Sequence, residues 1–134
     1  MLTLVSEENL KEFEKPSDEG VSLTALSSAR PGDHIAVKLT FAGMDLSNDL
    51  GANVTYDFKI IAPDGSLYGG VSRTGLTALI GRVPTRFFVF DNNPTPIAVF
   101  APHSSPGKYT FNAVITDNIG HHTLSLSQEI ALTK

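Results

Sequence analysis

At 134 residues the chain is one domain's worth, long enough to bury a sizeable core without cross-links. It has no cysteine, which excludes disulfides, thiolate metal sites and a cysteine nucleophile. Ten Lys and Arg against fourteen Asp and Glu give a net charge of −4, which argues against nucleic-acid or anionic-membrane partners.

The first nineteen residues read as a leader set apart from the rest. Ser6 is placed to cap a short helix with Glu7 and Glu8 in its first turn, Leu10 and Phe13 share a helical face, and Pro16 stops it. Met1–Val5 lacks the basic start and long apolar stretch of an intact signal peptide. No apolar run approaches the roughly 20 residues of a membrane helix, so membrane insertion is not expected.

From residue 20 to 134 the apolar period is two. A weak strand is expected at Val21–Ser27. In His34–Phe41 the residues Ile35, Val37, Leu39 and Phe41 share one face, with His34, Lys38 and Thr40 on the other. Asn53–Ile60 alternates Val54, Tyr56, Phe58 and Ile60 against a wet face that carries Asp57. The sequence Ala62-Pro-Asp-Gly65 then fits a type I turn. Weaker strands follow at Ser66–Tyr68, Leu76–Ile80, Arg86–Phe90 and Ile97–Phe100. Lys108–Thr116 points Tyr109, Phe111, Ala113 and Ile115 inward. Asp117–Gly120 makes a hairpin loop. Thr123–Leu132 keeps Leu124, Leu126, Ile130 and Leu132 in phase, with Gln128 marking a bulge or a solvent-reaching end. Alternating strands without a long amphipathic helix predict an all-β fold, an antiparallel sandwich of about seven to nine strands whose two sheets cover each other.

Residues 105 to 117, Ser-Pro-Gly-Lys-Tyr-Thr-Phe-Asn-Ala-Val-Ile-Thr-Asp, resemble the penultimate strand of immunoglobulin-like domains. Tyr56–Gly65 likewise resembles a strand and turn of bacterial and macroglobulin-type members of that group, which also includes cadherin-like and fibronectin-like domains. The resemblance spans residues 20 to 133 and implies an immunoglobulin-like antiparallel β-sandwich. It also implies a corner role for Tyr109, whose hydroxyl bonds back to nearby backbone, and a central core position for Phe111. It is a likeness of fold and carries no activity.

Chemistry-bearing residues are sparse. His121 and His122 beside Asp117 offer imidazole and carboxylate ligands to Zn or Cu, and the Asp45–Asp49 loop offers oxygens to Ca. His103 stands at the far end of the same strand, about 30 Å away, too far for a shared metal. Asp91-Asn-Asn93 faintly resembles a cadherin calcium linker, yet Asp and Asn are equally what turns require. No Gly-x-Ser-x-Gly elbow, His-Glu-x-x-His or phosphate-binding glycine loop is present, so an enzyme is not expected and no cofactor is implied.

The stretch Arg86–Pro102 is the unusual one. Phe87 and Val89 alternate with Phe88 and Phe90, so apolar side chains lie on both faces of one strand. One face enters the core; the other, with Ile97, Val99 and Phe100, calls for cover by the Leu10–Phe13 leader, by the loop at 69–85, or by another molecule. The leading expectation is a non-catalytic binding or assembly module that uses Phe88, Phe90, Ile97 and Phe100 for a protein partner or for self-association. The alternative is a small-ligand or metal-binding accessory domain using His121, His122, Asp117, Asp45 and Asp49. By resemblance the setting leans bacterial and periplasmic or secreted, with the signal already removed.

Overall fold

The computed structural model describes residues 2–10, 25–41, 44–45, 47, 51–82, 90–92 and 95–133. Among them are nine strands and one helical turn. They are β1 (Leu2–Ser6), α1 (Glu7–Leu10), β2 (Ser28–Ala29), β3 (His34–Phe41), β4 (Gly51–Ile61), β5 (Leu67–Arg82), β6 (Phe90–Asp91), β7 (Ile97–Val99), β8 (Gly107–Asp117) and β9 (His122–Leu132). The fold is an all-β sandwich, as the alternations require.

The wider sheet runs β2-β9-β8-β4-β5. Its pairs are antiparallel except β2 with β9, which is parallel, a departure from the purely antiparallel expectation. The narrower sheet centres on β3, with β1 on one side and β6 and β7 on the other. Between the sheets lie Ile35, Val37 and Leu39 from β3, and Val54, Tyr56, Phe58 and Ile60 from β4. Tyr109, Phe111, Ala113 and Ile115 from β8 complete the layer with Ile130 and Leu132 from β9. These are the faces that period two assigned.

The opening residues are not merely a leader. Leu2–Ser6 pairs residue for residue with Leu39–Ile35, and Leu4 is buried opposite Val37. The helical turn Glu7–Leu10 follows at once, where Glu7 meets the His34 ring nitrogen at 2.5 Å. Phe13 lies outside the described residues, as does most of Val21–Ser27. The strand found nearby is Ser28–Ala29.

Two further expectations are corrected, and the two readings of Gln128 are resolved. The far face of β3 is wet only at its ends, where His34 is exposed and Thr40 half-buried: between them Ala36 is fully buried and Lys38 is 3% exposed. Lys38 stays charged-group satisfied by donating to the Asn92 carbonyl (3.2 Å) and to Thr95 Oγ1 (3.0 Å). Ser66–Tyr68 and Leu76–Ile80 belong to one long strand, β5. Gln128 marks no bulge, because β8 and β9 pair without a break from Gly107↔Leu132 to Asp117↔His122. It marks the solvent-reaching end, and Leu124 beyond it is 54% exposed.

Local turn chemistry holds the frame. Gly65 donates to the Ala62 carbonyl at 2.9 Å, closing the expected turn. Gly107 has φ +141°, and a Cβ there would meet Pro63 at 2.8 Å, so only glycine lets that turn sit against the start of β8. Tyr109 donates its hydroxyl to the Ser105 carbonyl at 2.7 Å, the corner bond. Burial, reinforced by Tyr68 and Asp64 nearby, pushes the Tyr109 phenol above its usual range.

A candidate binding cleft between the sheets

The segment from β6 to β7 pairs with β3 at both ends, through Phe90 and Asp91 and through Ile97–Val99. Between these ends, Pro96 accepts from the Val37 amide at 2.9 Å but has no N–H to return to the ladder. The buried side chain of Asn92 takes that place. Its Oδ1 accepts from the Leu39 amide (2.9 Å), and its Nδ2 donates to the Val37 carbonyl (3.0 Å) and to the Tyr56 hydroxyl (3.4 Å). Burial raises the Tyr56 phenol pKa more than the Asn92 contact lowers it. Asn92 is thus a structural amide in the sandwich, in a stretch whose sequence had suggested calcium oxygens or turn bonds.

The partner-binding candidates separate. Phe100 is 1% exposed, which corrects its place on an open patch. Its ring packs 4.7 Å from Tyr109, 5.2 Å from Tyr68 and 6.3 Å from Phe111, in tilted and edge contacts. The Tyr68 hydroxyl in turn accepts from the Ala101 amide at 3.0 Å and shares a hydrogen bond with Ser104. The short β7 lets the chain dive inward after Val99, so Phe100 closes the core. Phe90 pairs through its backbone with Phe41. Phe88 lies outside the described residues. Ile97 and Val99 are exposed, at 38% and 49%.

The metal candidates are brought closer together than their separation in sequence suggests. The Asp45 carboxylate comes within 3.7 Å of His122 Nε2, on the hairpin side of the wider sheet. It also crowds Gly120, where any Cβ would collide with it. Asp117 is spent on backbone: one oxygen accepts from the Asp45 amide (2.8 Å), the other from Ile119 and Gly120 (3.1 Å each). Burial alone would raise its pKa. The three amides and the nearby His122 outweigh that and hold the carboxyl below its usual value. His121 takes φ +58° in the turn and is exposed. Asp49 lies outside the described residues. Among the described residues, no three His, Asp or Glu side chains are placed to hold a metal ion. No described helix is long and apolar enough to cross a membrane.

A different feature emerges on the opposite edge. The strand order of the wider sheet ends at β5, and the edge of the narrower sheet opposite β1 is formed by β6 and β7, each paired with β3. Between these edges opens a cleft of about 610 Å³. Tyr56, Phe58 and Ile60 floor it, Leu76 and Arg73 stand on the β5 side, and Pro96 to Val99 form the β7 side. Its shape depends on irregular pairing of β5 with β4. Tyr56 opposes Leu76 and Phe58 opposes Arg73, so Thr74 and Gly75 bulge out opposite Asp57. Gly75 adopts φ +65° and donates its amide to the Asp57 carboxylate at 2.8 Å. Asp57, read as a solvated carboxylate, therefore pins this bulge. Directly paired residues share a face, so the bulge brings Arg73 round to the interior side, level with Phe58. Tyr56, Phe58 and Ile60 were legible as one apolar face. That its continuation onto β5, at Leu76 and Arg73, is left open had no local signal.

No protein family matches this chain, and no characterised protein matches it by sequence. Among solved structures it is similar to part of a family 123 glycoside hydrolase from Clostridium perfringens, a protein studied for glycolipid glycan hydrolysis. The TM-score is 0.52 and the identity 11%, with all of this chain aligned to 28% of that one. At that identity the likeness is one of fold: a β-sandwich of this kind occurs as a portion of a longer protein.

Proposed function

We propose that this chain is a non-catalytic, immunoglobulin-like binding or assembly module whose contact with a protein partner is the cleft between β5 and β7. The observation that carries the reading is the cleft itself. Its volume lies in the range typical of ligand sites, and its walls are mainly apolar. The exposed Ile97 and Val99 extend apolar surface onto its rim. Among the described residues, the ionisable ones along it are Tyr56, Tyr68 and Arg73, with no carboxylate or imidazole in the lining to serve as an acid or base. The immunoglobulin-like part of the reading is supported by the Tyr109 corner bond and by Phe111 at the centre of β8.

Titration with the neutral apolar dye Nile red tests it. The folded full-length chain should bind the dye at one saturable site, and Leu76→Glu should abolish the signal while unfolding remains cooperative. Absence of dye binding, or equal binding by the Leu76→Glu variant, would overturn the assignment of the cleft.

A further inference from the structure

The cleft contains one group that its surroundings do not explain. Arg73 stands opposite Phe58 on the interior face of β5, a position that the alternation of the other strands reserves for apolar side chains. It is exposed there, on the strand that ends the wider sheet. Its guanidinium donates to the adjacent Ser72 carbonyl at 3.4 Å, and it forms no ion pair among the described residues. A guanidinium has five donors in a planar fork that matches a carboxylate. Among the described residues, the cleft lining offers it none.

We infer that the cleft takes an extended apolar segment of a partner protein, with one carboxylate of that segment held by Arg73. The inference rests on the cleft being the binding surface. Charge complementarity supplies the carboxylate: a lone cation among apolar walls rejects a basic segment and rewards an acidic one. The shape supplies the extended segment. The lining follows β5 from Tyr68 to Thr77 and β7 from Ile97 to Val99, so the space is a trough between two strand edges. A compact ligand would leave the rim residues Ile97 and Val99 in water, whereas sites for small ligands enclose most of the ligand surface. An extended chain lies along the trough, packs alternate side chains against Leu76, and covers the rim residues Ile97 and Val99 with the others. The bulge at Thr74–Gly75 interrupts the free edge of β5, so side chains carry more of the recognition than backbone pairing does.

The test uses the full-length chain and a blocked hexapeptide of alternating leucine or valine and threonine, carrying one glutamate, with its glutamine counterpart. Amide shifts should cluster at Ser72–Thr77 and Ile97–Val99. The glutamate peptide should bind about tenfold more tightly than the glutamine peptide. Arg73→Met should erase that difference without loss of folding, and Arg73→Lys should restore part of it. Equal affinity for the two peptides, a difference that survives Arg73→Met, or shifts elsewhere on the protein would overturn the inference. So would decanoate displacing the peptide at equal or lower concentration, which would make the cleft a small-molecule site. Nile red binding without peptide binding would sink this inference and leave the cleft assignment standing; loss of both would sink the two together.

Discussion

The two sides of this sandwich are built from the same pattern and end differently. On the side of β8 and β9, the inward residues Tyr109, Phe111, Ile130 and Leu132 meet β1 and β3, and Phe100 plugs the remaining space. On the side of β5, the inward residues Leu76 and Arg73 face the open end of the narrower sheet and line a cleft. The wider sheet overhangs its partner. Alternation creates an apolar face, and the reach of the opposite sheet decides whether that face is core or binding surface. The hairpin end of β9 shows the same effect on a small scale, since Leu124 is in phase with Ile130 and yet exposed.

The sharpest way to break this comparison is to truncate one residue on each side. Phe111→Ala removes a fully buried ring and should cost about 3–5 kcal/mol, whereas Ile97→Ala on the cleft rim should change stability by about 0.5 kcal/mol or less. Denaturant midpoints measure both. Equal costs would mean that the open side is as tightly packed as the closed one.

A second substitution probes the seam where the narrower sheet is stitched together. Asn92→Ala leaves the Leu39 amide and the Val37 carbonyl without their side-chain partner inside the protein. A buried backbone group left unpaired costs about 1–3 kcal/mol, so a loss of about 2–4 kcal/mol is expected. Hydrogen exchange should accelerate first at Leu39. If the amides of β3 stay protected in the variant, the side chain is not acting as the missing ladder.

The third concerns the hairpin at Asp117, on the closed side. Its carboxyl titrates below the ordinary value of 3.8 in the folded protein. The unfolded chain therefore takes up this proton first as pH falls, so the stabilisation is complete above about pH 4 and is lost as pH drops through the folded pKa. Asp117→Asn should lower stability at neutral pH by about 1–2 kcal/mol, since charged acceptors bond amides more strongly. It should also flatten the acid limb of the stability profile. An unchanged limb in thermal melts from pH about 6 to about 3 would show that Asp117 is not the group that titrates.

Much of the frame was legible in the chain. The apolar faces of β3, β4 and β8, the Ala62–Gly65 turn and the hairpin after Asp117 follow from period two and from turn chemistry, which act over a few residues; the Tyr109 corner was implied by the resemblance to immunoglobulin-like domains. What lay beyond reach involved partners distant in sequence. Leu2–Ser6 looked like a leader because five residues show little period, and only pairing with β3 makes them a strand. Phe100 looked like surface because its neighbours Ile97 and Val99 are surface; the inward turn of the chain after β7 buries it. Asn92 looked like a turn or calcium residue because its role is set by β3, where its side chain accepts from the Leu39 amide and donates to the Val37 carbonyl beside Pro96, which has no N–H of its own. Arg73 is the plainest case. The bulge pinned by Asp57 resets the phase of β5, so no count along the strand could place that arginine opposite Phe58. Side-chain period is a property of the local backbone and can be read from sequence. What covers a face depends on the reach of a sheet assembled from distant segments, and only the tertiary structure decides it.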